Sequence, residues 1–172
     1  MGKNTTPETY DDALLEGAGQ PAQDDVLANE DAILAGLLDL GKSRDEESSY
    51  RKIQIKRNGM VKLEFRIRPL NEDETQTCLK NATKYKPSKP GEPKVVIETN
   101  RSLFRSYLVY SATVDADRAK VWDNKKAMDA LGVMQGVEMV EKILLAGEKD
   151  RVLDIVDEIS GYDSDMMGTA EN

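Results

Sequence analysis

The spacing of hydrophobic positions changes along this chain, and the changes mark out its elements. From Tyr50 the spacing is two: Ile53 and Ile55 share one face, Asn58-Gly59 interrupts, and Val61, Leu63, Phe65 and Ile67 alternate with Lys62, Glu64, Arg66 and Arg68. Such alternation buries one side of a strand and wets the other, and Asn-Gly accepts the positive φ angles of a two-residue turn, so the pattern predicts an antiparallel hairpin over 50–68. Pro69 ends the second strand because it has no N–H for a ladder. Asn71 with Glu74 three residues on reads as a capping box, opening a helix that carries Cys78, Leu79 and Ala82. Between Lys86 and Lys94, the residues Pro87, Pro90, Gly91 and Pro93 predict an exposed basic loop, followed by a short third strand over 94–98.

Helical spacing then takes over. Asn100 caps a helix with Leu103, Phe104, Tyr107, Leu108 and Ser111 on one face, expected to be the central packing helix. A short helix runs from Asn124 to Leu131 and stops at Gly132. Another holds Val137, Val140, Ile143 and Leu144, and a last one, after Gly147, holds Val152, Leu153, Val156 and Ile159 before Gly161 closes it. On the N-terminal side, residues 1–28 show no sustained period and read as a disordered acidic arm. Asn29 caps a short amphipathic helix over 29–41, with Glu30 and Asp31 at the positive end of its dipole, a stripe of Ile33, Leu34, Leu37, Leu38 and Leu40, and Gly41 as its stop. The expected fold is α+β: a small antiparallel sheet (hairpin 50–68 plus a short strand 94–98) packed with a C-terminal helical bundle in a single domain over 50–161. A disordered acidic tail over 162–172 follows.

Composition narrows the function. Among 172 residues hydrophobic ones make up 39% and aromatic ones 5%, which predicts one mainly aliphatic core. A lone cysteine and the lack of a leader-like N-terminus point to a cytosolic setting, and no apolar run approaches the roughly 20 residues of a spanning helix. The chain has no histidine, the commonest general base and metal ligand, and no glycine-rich phosphate loop or nucleophile elbow. No enzyme, cofactor or metal site is therefore expected.

Charge is distributed in blocks. Residues 1–49 carry 3 Lys/Arg against 12 Asp/Glu, residues 50–128 carry 18 against 9, and residues 129–172 carry 3 against 11. The basic middle fits an acidic protein partner, its own acidic arms or a nucleic acid, and no recognised nucleic-acid motif accompanies it. Arg66, Arg68, Arg101 and Arg105 either form a solvated face or gather around an acidic segment. Cys78, beside Leu79, reads as an inert buried thiol. Trp122, the only tryptophan, serves as a lid on the core or as a partner anchor. Met134 and Met139, with Val137, Val140, Ile143 and Leu144, form ordinary core or an adaptable groove for a hydrophobic client. The helix with Ile33, Leu34, Leu37 and Leu38 docks on its own domain or on a partner.

The order of these motifs resembles the XkdN-like phage tail assembly chaperones of contractile-tailed phages and phage-like elements of Gram-positive bacteria. The resemblance rests on Phe65-Arg66-Ile67-Arg68-Pro69-Leu70 with Glu74 and Cys78, the helix from Leu103 to Ala112, and most specifically Leu131-Gly132-Val133-Met134-Gln135-Gly136-Val137-Glu138. It continues through Leu144-Leu145-Ala146-Gly147-Glu148 to Ile159-Ser160-Gly161-Tyr162 and spans roughly residues 50–162. Lys149 departs from the aromatic expected there. The resemblance implies a host-cytoplasmic protein, absent from the mature particle, that binds and solubilises the tape-measure protein and aids polymerisation of the tail-tube protein around it. Self-association is a further expectation, and a structural tail component or generic adaptor is the alternative. The contact residues expected are Ile33, Leu34, Leu37, Leu38, Trp122, Met134, Val137, Met139 and Val140.

Overall fold

A computed structural model describes residues 29–43, 49–87 and 89–162. The expectations for the acidic arm 1–28 and most of the tail fall outside the described residues. The chain divides into two units, with a boundary between Leu40 and Gly41. Helix α1 (Glu30–Ser43) crosses that boundary and is described by itself. Its start is as expected, with Asp31 N–H donating to Asn29 Oδ1 at 3.0 Å. It runs past Gly41, because a helical glycine costs only about 1 kcal/mol relative to alanine and does not by itself stop a helix.

In the second unit the hairpin forms as predicted. Strands β1 (Arg51–Arg57) and β2 (Met60–Ile67) pair antiparallel, Ile53 opposite Phe65 and Ile55 opposite Leu63, around Asn58 and Gly59 at φ 53° and 74°. The register then skips Lys62, so that Lys56 pairs with Val61. A one-residue bulge turns the following side chains off the buried row, and Val61, expected on the inner face, is exposed.

Helix α2 (Glu72–Asn81) follows with its capping box complete: Glu74 N–H donates to Asn71 Oδ1 at 2.7 Å and Asn71 N–H to Glu74 Oε2 at 2.9 Å. The third strand exists, but not in the hairpin's sheet. β4 (Val96–Thr99) pairs with β3 (Thr83–Tyr85) in a separate two-stranded ribbon, closed at its ends by Lys86 N–H to Val95 O and Asn100 N–H to Ala82 O. The hairpin edge is used elsewhere. Thr113 bridges Ile67, Arg68 N–H donates to Ala112 O at 2.8 Å, and Val114 N–H donates to Arg66 O at 3.0 Å.

That crossing joins the sheet to the helices: α3 (Arg101–Ala112), α4 (Asp115–Val121), α5 (Lys125–Leu131), α6 (Gly136–Ile143) and α7 (Ala146–Asp157), the last continuing as a π-helical turn, Glu158–Tyr162. α3 is central, packing on α2, α6 and α7. Its most buried face is Ser106, Val109 and Ala112 rather than the stripe of Leu103, Phe104, Tyr107, Leu108 and Ser111. With neighbours on several sides, small residues take the closest approach and the larger ones fill its flanks. The core joins Ile53, Ile55, Phe65 and Ile67 of the hairpin to Val109, Ala112, Trp122, Met139, Val140, Leu144, Val152, Val156 and Ile159.

Trp122 is the hinge pin of this core. It is 1% exposed, meets Phe65 edge-on at 5.2 Å between ring centroids, and donates its Nε1–H to Thr113 Oγ1 at 2.9 Å. Thr113 in turn donates to Val109 O at 2.8 Å. Trp122→Phe should cost about 1–2 kcal/mol, through the lost hydrogen bond and part of the ring, and Trp122→Ala about 3–5 kcal/mol. Denaturant unfolding followed by circular dichroism measures both.

Candidate interaction surface

The bulge at Lys62 opens a recess between the turn end of the hairpin and helices α4 to α6. Leu63, Val121, Trp122, Ala127, Met139 and Ile143 line it, Arg57, Lys62 and Lys120 stand at its rim, and its volume is about 400 Å³. Apolar side chains under a ring of cations suit an apolar segment carrying acidic residues. Arg57 is already engaged, donating to Glu148 at 3.0 and 2.7 Å and to Ile143 O at 2.7 Å. A second recess of about 400 Å³ lies between α3 and the α5–α6 connection, lined by Tyr107, Tyr110, Met128, Met134, Gly136 and Val137 among others.

The anticipated contact residues fall into three groups. Trp122, Met139 and Val140 are core residues, the first two also forming recess floor. Val137 is buried and Met134, 87% exposed, stands beside it at the second recess. Leu34, Leu37 and Leu38 are exposed on α1, and Ile33 is half-buried. Lys62 and Leu63 of the first recess were not anticipated, since an unbroken alternation hides the bulge that separates them. The run Val95-Val96-Ile97 was read only as a strand, although three consecutive apolar residues in a two-stranded ribbon signal uncovered surface.

The arginines read as a candidate anion site are mostly consumed within the fold. Arg66 grips Asp117 through Nε and Nη2 at 2.9 and 3.0 Å, Arg68 donates to Glu74 at 2.7 Å, and Arg105 pairs with Asp150. Hydrogen bonds from Arg66 hold the Asp117 carboxyl below the usual carboxylate range. Burial pushes the Cys78 thiol up, and Ser111 Oγ lies 3.3 Å from its sulfur. Lys149, 3% exposed, reaches Ser102, Ser106 and Glu141 at 3.2 Å each. Burial raises the Glu141 carboxyl, but hydrogen bonds from both serines and Lys149 outweigh it and leave the group below its ordinary value. The position where an aromatic was expected is thus a lysine bonded on three sides. Among the described residues no group of three or more His, Cys, Asp or Glu is placed to hold a metal ion. No helix among them is long and apolar enough to cross a membrane.

The most specific sequence motif builds the second recess. Gly132 ends α5 at φ 65°, a left-handed conformation that suits glycine. Glu138 accepts Met134 N–H at 2.8 Å and Gln135 N–H at 3.3 Å, fixing the start of α6. A Cβ on Gly136 would lie 2.1 Å from Asp123 Oδ1 and 2.4 Å from Tyr110 Cε2, so any larger residue there forces those hydrogen-bonded side chains to shift. Tyr110 OH donates to the same Asp123 carboxylate at 3.0 Å. Downstream, Glu148 accepts Leu145 N–H at 2.8 Å as well as Arg57, and Ser160 Oγ accepts Leu70 N–H at 3.0 Å.

These features define a small α+β domain with shallow apolar recesses, in which the charged side chains of the sequence motifs chiefly hold the chain to itself. Residues 35–172 match the family model described as phage XkdN-like tail assembly chaperone protein, about four fifths of the chain, and the chain belongs to that family. No curated protein and no solved structure matches it.

Two outcomes follow. Gly136→Ala should destabilise by about 1–3 kcal/mol through overpacking, read as a lowered denaturant midpoint. Hydrogen bonds from Arg57 depress the Glu148 carboxyl, and Asp117 and Glu141 are also depressed. Their folded values lie below their unfolded ones, so their contribution to stability is present above the unfolded carboxylate range of about 4 and is lost as pH falls through the folded values. Stability measured from pH 7 down to 3 should fall on acidification, and less steeply in Glu148→Gln.

Proposed function

We propose that this chain is a non-catalytic chaperone that binds the tape-measure protein in the host cytoplasm, keeps it soluble, helps tail-tube subunits polymerise around it, and leaves before the particle is complete. The recess floored by Trp122 and Met139 carries this reading. It offers apolar surface to a client helix, while Lys62 and Lys120 select acidic residues beside that helix's apolar face. Membership of a tail assembly chaperone family supports a protein partner in tail assembly. The stripe of Ile33, Leu34, Leu37 and Leu38 provides a second contact, and Met134 and Val137 a third, with Val140 holding α6 beneath them. Acidic residues concentrated towards both ends keep the loaded complex dispersed. No cofactor takes part.

Co-expression with the tape-measure protein tests this reading. The wild-type chain should bring the client into the soluble fraction and co-purify with it. Ala127→Glu places a carboxylate in the recess at a position near the start of α5 that favours one, so the fold is kept. It should lower recovered complex about tenfold, as should the Leu37→Asp, Leu38→Asp pair. Absence of co-purification, with the chain instead found in purified particles, would make it a structural tail component.

A further inference from the structure

The β3–β4 ribbon presents apolar surface that the fold leaves uncovered. Val95, Val96 and Ile97 are 57%, 55% and 64% exposed, and Tyr85, opposite Val96, is partly open with the Lys94 ammonium 5.9 Å from its ring centroid. Among the described residues each strand of this ribbon has one neighbour, so β4 presents an outer edge that none of them covers. Two strands alone make a marginal sheet, and an apolar edge is a template for another strand. Pro87 and Pro90 lie well before β4, and Pro93 immediately precedes Lys94, which limits any pairing of this edge to the stretch from Lys94 onwards.

The edge is complementary to itself. We propose that β4, extended back through Val95 and Lys94, pairs antiparallel with the same stretch of a second copy about a two-fold axis at Val96, joining the two ribbons into a four-stranded sheet. In that register Val96 faces its own counterpart, Val95 of each copy faces Ile97 of the other, and Lys94 of each faces Glu98 of the other. Moving the axis breaks the match. Centred between Val96 and Ile97, it sets Val95 against Glu98 and Lys94 against Thr99; centred on Ile97, it sets Val96 against Glu98. Directly opposed residues interact most strongly across antiparallel strands, so the register at Val96 is the one in which both apolar and charged positions find partners. Ile97 supports it further. The β3 register skips this residue, leaving it without a cross-strand neighbour inside the ribbon, and the second copy supplies Val95. Neither Lys94 nor Glu98 forms an ion pair within 4 Å among the described residues; inside the ribbon Lys94 stands over the Tyr85 ring and Glu98 is opposite Lys84, and each keeps capacity for a further charged partner. A shared two-fold interface of this kind closes after two copies and does not propagate.

Sedimentation of the full chain over a range of concentrations tests the pairing without any client. The wild type should show a monomer–dimer equilibrium. Lys94→Glu alone places two like-charge pairs at the seam, as does Glu98→Lys alone, and each should weaken dimerisation about tenfold. Mixing the two variants sets the carboxylates at positions 94 and 98 of one chain against the ammonium groups at positions 98 and 94 of the other, so a heterodimer of wild-type strength should form. In a Cys78→Ala background, Val96→Cys should give a disulfide-linked dimer on mild oxidation. A wild type that stays monomeric overturns the pairing, as does a dimer indifferent to the charge changes or a mixture that fails to restore it. A monomer whose ribbon variants lose the tape-measure protein would assign the edge to that client instead, and also overturns it.

Discussion

Everything in the second unit hangs on the crossing of residues 112–114 over the end of β2. A two-stranded hairpin with one apolar face cannot persist in water alone, and this one is covered because the chain leaving α3 bonds along its edge before turning into α4. Trp122 locks that crossing. Its ring seals Phe65 and its N–H is satisfied by Thr113, so the largest side chain in the core is also hydrogen-bonded. With only 5% aromatic residues in the chain, no second side chain of that size stands ready to replace it.

The residues on which the resemblance rests are mainly residues that shape backbone. Gly132 and Gly136 permit a left-handed stop and a close approach, while Glu74, Glu138 and Glu148 cap helices. Arg57 and Arg68 tie two of those capping carboxylates to other elements. The apolar surface left open lies largely elsewhere: the recess beside Lys62, the stripe on α1 and the ribbon residues Val95, Val96 and Ile97.

The blocks of charge take on a different meaning in three dimensions. Several arginines of the basic middle are neutralised internally, Arg57 and Arg105 by acids of the C-terminal block and Arg66 and Arg68 by acids nearer in sequence. Outside those pairs the block is mostly lysine, including Lys62 and Lys120 at the recess rim and Lys84 and Lys94 at the ribbon. A lysine presents a mobile point charge without the planar fork of an arginine, which suits tolerant attraction of an acidic partner better than recognition of one fixed geometry.

Local physics made much of this protein readable in advance. The hairpin with its Asn-Gly turn, the capping box at Asn71, the cap at Asn100 and the short helix after Asn124 with its stop at Gly132 each depend on residues within a few positions of one another, and all formed as read. Features that depend on residues far apart in sequence did not follow from the pattern. The bulge at Lys62, the pairing of β4 with Thr83–Tyr85, the small-residue face of α3 and the triply bonded Lys149 are solutions to packing and to the satisfaction of buried polar groups. Periodicity states which side of an element is apolar. Which neighbour covers that side, and which apolar residues stay open to a partner, is decided only when all the elements compete for the same limited core.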